Sequence, residues 1–184
     1  MLDVRPTALA GVLEIRPRRI ADDRGFFSEV WSRAAFAAAG IDLNFVQDNH
    51  SLSRDSGVLR GLHFQSPPSA QDKLVRVSRG AVFDVAVDIR PSSPTYRQWV
   101  GVTLTAAEWN QVLIPKGFAH GFLALEPESE VLYKVSTPYS REHDRAIRFD
   151  DPAIGIAWPI HRAALVLSDR DRAAPLLADA DTGF

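Results

Sequence analysis

Apolar residues recur at every second position in short runs broken by Gly, Pro or Asp, and this alternation constrains the fold of the chain more than any other feature. In the run 81–89, Phe83, Val85, Val87 and Ile89 share one parity while Asp84 and Asp88 take the other, which is the period-2 pattern of a β-strand. Comparable runs fall near 11–15, 26–31, 46–53, 58–64, 73–79, 99–105, 111–114, 119–126, 130–136 and 145–149. About ten short strands with no long amphipathic helix predict a mainly β, antiparallel jelly-roll sandwich or barrel rather than a parallel sheet. Ser32 as N-cap, an Ala-rich body from Arg33 to Ala39 and Gly40 as the stop predict one short helix, and a second is expected after Ser168.

At 184 residues, 46% hydrophobic and 24% charged, the chain suffices for one core, so a single domain over 1–184 is expected. A formal net charge of -2 supplies no general footprint for nucleic acid. No apolar run approaches the roughly 18 residues that a membrane span needs. The start, Met1-Leu2-Asp3-Val4-Arg5-Pro6, lacks the apolar stretch of a secretion signal. The absence of cysteine excludes disulfides, thiol catalysis and thiolate metal sites, and makes the cytoplasm the expected location.

Strand parity gives the first pointer to chemistry. Lys73 shares its parity with Val75 and Val77, Tyr133 with Val131 and Val135, and His120 with Phe118 and Phe122. Three polar tips thus fall on apolar faces, where they need buried partners or must line a pocket at the open end of a barrel. The phase of 58–65 is ambiguous, and Gly57 and Gly61 suggest a bulge there. Read singly, each residue has a structural explanation. His63 could be a hydrogen-bonded strand histidine, Tyr133 a core tyrosine, Asp171 a first-turn helix acid. Lys73 stands out because the chain has lysine only at 73, 116 and 134. Taken together, an imidazole, an ammonium, a phenol and a carboxylate are the groups needed to remove a proton beside a carbonyl, hold the enolate oxygen and return the proton.

Six strings, in order, carry a family resemblance: Arg24-Gly25-Phe26-Phe27-Ser28-Glu29, Gln47-Asp48-Asn49-His50-Ser51, Leu59-Arg60-Gly61-Leu62-His63-Phe64-Gln65, Lys73-Leu74-Val75-Arg76-Val77, Pro115-Lys116-Gly117-Phe118-Ala119-His120-Gly121-Phe122 and Leu132-Tyr133-Lys134. From about Gly11 to Leu177 the chain resembles the dTDP-4-dehydrorhamnose 3,5-epimerases. The resemblance implies a cupin-type jelly roll, a homodimer, no cofactor, no metal, and a nucleotide-linked 4-keto-6-deoxy sugar as substrate. It implies His63 as the base, supported by Asp171, with Lys73 at the enolate oxygen and Tyr133 as the acid on the opposite face. An imidazole's ordinary pKa of ~6.5 suits a base near neutrality. It further implies that Arg24, Glu29, Gln47, Asp48, Asn49, Arg60 and His120 hold the nucleotide or its diphosphate, with Tyr139 near the sugar or base. Asp144 and Arg170 occupy substrate-contact positions where the family more often has Glu and Lys, and Asp72 stands where a small residue is usual.

Two other readings remain. A metal-dependent cupin would use Pro115–His120, which resembles the second half of the cupin metal motif, but a metal site also needs a His-x-His pair, and here His63 is followed by Phe64-Gln65. A sugar-binding jelly roll would bind without exchanging substrate protons. Relatives that invert a single centre carry much the same residues, so the number of inversions stays open.

Overall fold

A computed structural model describes residues 2–161 and 164–184. Thirteen strands are present among them: β1 (Asp3–Pro6), β2 (Leu13–Arg16), β3 (Ile20–Asp22), β4 (Gly25–Phe27), β5 (Gln47–Ser53), β6 (Leu59–Gln65), β7 (Lys73–Arg79), β8 (Ala81–Asp88), β9 (Trp99–Thr105), β10 (Gln111–Ile114), β11 (Phe118–Ala124), β12 (Ser129–Val135) and β13 (Asp144–Ala146). They build a six-stranded sheet in the order β1-β2-β10-β7-β12-β5, a five-stranded sheet in the order β13-β6-β11-β8-β9, and the hairpin β3-β4. All these pairings are antiparallel, as the alternation predicts for a jelly roll.

The two large sheets close on a core of Val75, Val77, Val82, Leu104, Val112, Ile114, Phe118, Phe122 and Val131. Helix α1 (Arg33–Ala38) covers the outer face of the six-stranded sheet, where Phe36 and Ile41 pack on Ile15, Leu74 and Leu113. The C-terminal segment covers the outer face of the five-stranded sheet through Ile147, Ile154 and Leu177. Strand β8 is therefore buried on both faces. Val85, Val87 and Ile89 pack outward under the C-terminal segment, and the parity of Asp84, shared by Val82 and Ala86, is the one that faces the space between the sheets.

Both helices start where the caps indicate. The Ser32 side chain accepts from the Ala35 N–H, and the Ser168 side chain caps α2 (Asp169–Arg172) by accepting from the Asp171 N–H. α1 ends one residue before the expected Ala39, and Gly40 follows in the left-handed region at φ 84°. The expected strand at 26–31 is pairing only over Gly25–Phe27, and that at 145–149 only over Asp144–Ala146. Strands β1 and β3 escaped the sequence reading because they are exposed at nearly every position and so carry no buried face to mark. Among the described residues, no helix is long and apolar enough to cross a membrane.

Candidate active site

The open end of the barrel holds a cavity of about 500 Å³ lined by Arg60, His63, Lys73, His120, Tyr133, Tyr139, Asp144, Arg170 and Asp171 among others. Each inward parity read from the sequence is realised. Tyr133 packs against the inter-sheet core, Lys73 is 7% exposed beside Val75, and His120 is 7% exposed between Phe118 and Phe122.

A bulge in β6 brings Arg60 and His63 to the same face. His120 of β11 pairs with His63, and Phe122 pairs with Arg60, so three steps along β6 match two along β11. Gly61 absorbs the extra residue at φ 132°, and a Cβ there would lie 2.5 Å from the Gly121 Cα.

His63 Nε2 donates to Asp171 Oδ1 at 2.5 Å, which fixes the ring and leaves Nδ1 with the lone pair. Asp171 is buried, and burial pushes its carboxyl up. The hydrogen bonds from His63, from the Ser168 cap and from the Gly61 backbone outweigh this and hold it below the ordinary carboxylate value. Lys73 Nζ donates to the His63 carbonyl at 3.1 Å. Burial pushes its pKa down to about 8, against the opposing pull of Asp84 and Asp144. Burial raises the Tyr133 phenol, with Arg60 opposing and Asp144 adding to the rise. His120 Nε2 bonds to Asp84 Oδ2 at 2.9 Å. Burial lowers the pKa of this imidazole, the Asp84 carboxylate resists, and Lys73 and His63 as like charges lower it further.

At the mouth, Asp144 joins two cavity residues: Tyr139 Oη donates to its Oδ2 at 3.1 Å and Arg170 Nη2 pairs with its Oδ1 at 2.8 Å. Arg60 donates to the Leu52 carbonyl at 3.0 Å. Five of the expected substrate-contact residues do not line the cavity. Gln47 and Asn49 lie on the inward parity of edge strand β5, with Asn49 directly opposite Tyr133, and Gln47 Nε2 donates to Asn49 Oδ1 at 2.8 Å. Asp48 has the other parity and pairs with Lys134 at 2.5 Å. Arg24, 89% exposed by side chain and paired with Asp22, and exposed Glu29 belong to the hairpin region, where Phe26 meets Trp109 edge to face and Arg76 lies over the same indole. Arg76 has the outward parity of β7, so this hairpin lies across the six-stranded sheet from the cavity.

Sequence reading missed two groups. Asp84 partners His120, and the signal was its shared parity with apolar Val82 and Ala86. Gln65 lines the cavity only 4% exposed, two residues beyond His63 on the strand. Among the described residues, no three His, Asp or Glu side chains are grouped to hold a metal ion.

The sequence profile described as dTDP-4-dehydrorhamnose 3,5-epimerase matches residues 6–179. The enzyme of that name from Salmonella typhimurium is 50% identical over 181 residues, covering 98% of both chains. The crystal structure of dTDP-6-deoxy-D-glucose-3,5-epimerase from Legionella pneumophila in complex with dTDP-4-keto-L-rhamnose superposes with a TM-score of 0.93 at 44% identity, covering 98% of this chain and 95% of that one. A 3'-monoepimerase from Streptomyces bikiniensis in complex with dTDP-quinovose superposes at 0.87 with 34% identity, covering 95% of this chain and 87% of that one. An imidazole, an ammonium and a phenol meeting in one jelly-roll cavity, together with these likenesses along nearly the whole chain, show that it belongs to the dTDP-4-dehydrorhamnose 3,5-epimerase family.

Proposed function

We propose that this chain inverts C3 and C5 of dTDP-4-dehydro-6-deoxy-D-glucose to give dTDP-4-dehydro-L-rhamnose. The observation that carries the reading is that His63 and Tyr133 project from opposite sheets into one cavity, with the Lys73 ammonium beside the base strand. His63 Nδ1 takes the proton from a carbon beside the ketone, and Asp171 stabilises the imidazolium that forms. Electrons move onto the C4 oxygen, where Lys73 faces the enolate. Tyr133, kept protonated by its raised pKa, returns a proton to the other face, which inverts the centre. Both flanking carbons share the C4 enolate oxygen, so one lysine serves both inversions. Arg60 and Arg170 at the mouth suit the diphosphate, and the exposed Tyr139 ring suits the base or sugar. His120, held by Asp84, lines the same cavity and is a further contact for the nucleotide or its diphosphate. No cofactor is required by this sequence of steps.

The about 50% identity to 3,5-epimerases, against 34% to the monoepimerase, favours two inversions over one. A homodimer is supported by the hairpin: Ile20, Phe26 and Phe27 stand exposed, the last at 68%, beside Arg24 and Glu29. In such a dimer the arm would bring Arg24 and Glu29 to the partner's nucleotide. The cytoplasm as the place of action is supported by a cysteine-free chain. Conversion of the keto sugar by chelator-treated protein tests the function; intact binding without conversion would favour a mere sugar-binding jelly roll, and loss on chelation would favour a metal cupin.

A further inference from the structure

We infer that Gln65 is a positioning residue that sets the place of Tyr139 relative to the catalytic base. The loop 136–143 between β12 and β13 carries Tyr139 and has no strand or helix of its own. A loop aromatic that is 57% exposed needs restraint to present one surface to a ligand. The Gln65 amide grips the chain on both sides of Tyr139: Nε2 donates to the Pro138 carbonyl at 3.2 Å, and Oε1 accepts from the Ser140 N–H at 2.7 Å. The second Nε2 proton goes to the Ser69 carbonyl at 2.6 Å, so both amide ends are engaged within the protein. Gln47 Oε1 accepts from the Tyr139 N–H itself at 2.9 Å, and Gln71 Nε2 donates to the Thr137 carbonyl at 2.7 Å.

Gln65 shares strand and parity with His63, beyond the bulge. The base and the mouth aromatic are therefore referenced to one strand, separated by one pleat repeat and one amide. The position that would hold the second histidine of a metal-binding His-x-His pair instead orders the ligand-binding loop.

This rests on the reading of Tyr139 as a substrate contact, and the test separates the two. The dissociation constant of dTDP is measured by calorimetry, and kcat with the keto sugar, for Gln65→Met, Gln65→Glu, Tyr139→Ala and the double variant Gln65→Met/Tyr139→Ala. Gln65→Met gives up all three hydrogen bonds of the amide and Gln65→Glu the two it donates, so both are expected to weaken dTDP by about tenfold or more, with the larger effect on affinity than on kcat. In the Tyr139→Ala background, Gln65→Met should add almost nothing, because the group it positions is gone. Additive losses, or unchanged dTDP affinity in the Gln65 variants while Tyr139→Ala weakens it, would overturn the role of Gln65 alone. A Tyr139→Ala protein with full affinity would overturn the Tyr139 contact and this role with it. Should both Gln65 variants fail to fold, amide exchange of the unaltered protein decides: the Ser140 N–H, which donates to Gln65 Oε1, must be protected without ligand, and solvent-rate exchange there contradicts the restraint.

Discussion

Arg60 and His63 are three residues apart on one strand and yet line the same cavity, because β6 gains one residue against β11 between them. In a regular strand that spacing would send the two side chains to opposite faces. The Gly61 backbone at φ 132°, close against Gly121, makes the arrangement possible. Gly61→Ala should destabilise the fold by on the order of 3 kcal/mol through positive φ and backbone overlap. Denaturant midpoints at constant m would show this, and kcat/KM should fall with it. An alanine variant of unaltered midpoint would mean that the bulge tolerates a side chain.

His63 and Arg60 should respond differently to removal. His63→Ala is expected to lower kcat by ~10²–10⁴-fold, the usual contribution of a positioned base. Arg60→Ala should mainly raise KM with kcat nearly preserved, as its proposed role at the diphosphate requires. Steady-state kinetics decide, and equal kcat losses in both would contradict the division.

The buried Lys73 sets an alkaline limit. Its pKa is lowered from 10.5 to about 8. Below pH 8 the ammonium is charged in folded and unfolded chains alike. Between 8 and 10.5 the unfolded chain binds the extra proton, so this group's contribution to stability improves as pH rises through that window. Activity runs the other way, because the neutral amine cannot balance an enolate. The kcat/KM profile should fall above about pH 8, and a limb first appearing near 10 would contradict the lowering of the Lys73 pKa by burial.

Much of the site was legible because strand parity is local information. Lys73, Tyr133 and His120 each sit among apolar neighbours two residues away, and the structure turns all three inward. Ser32 and Ser168 likewise announced their helices. Pairings that depend on register between distant strands were not legible. Asp84 meets His120 only because β8 lies beside β11, and its strand is buried on both faces, so a rule of one wet and one dry side misdirects. Asp144 and Arg170, 26 residues apart in the chain, join only because β13 and α2 flank the same mouth. Gln65 was noticed as a missing metal ligand, and its real engagements are with loop backbone that sequence cannot place.

The exposed hairpin bears on assembly. If the proposed homodimer forms through this hairpin, Phe27→Asp should turn it into a monomer in sedimentation or light scattering, and weaken nucleotide binding at the same time if Arg24 and Glu29 act across the interface. A monomeric wild-type protein with full activity would contradict the arm's role.

Opposite-face proton transfer is tested most directly by NMR of the keto sugar incubated in heavy water with the wild-type protein, Tyr133→Phe and His63→Asn. Wild type should place deuterium at both C3 and C5 with inversion. Tyr133→Phe should still exchange protons while inverting poorly, and His63→Asn should do neither. Deuterium at neither carbon in the wild type, or full inversion by Tyr133→Phe, would contradict a base and an acid working from the two sheets.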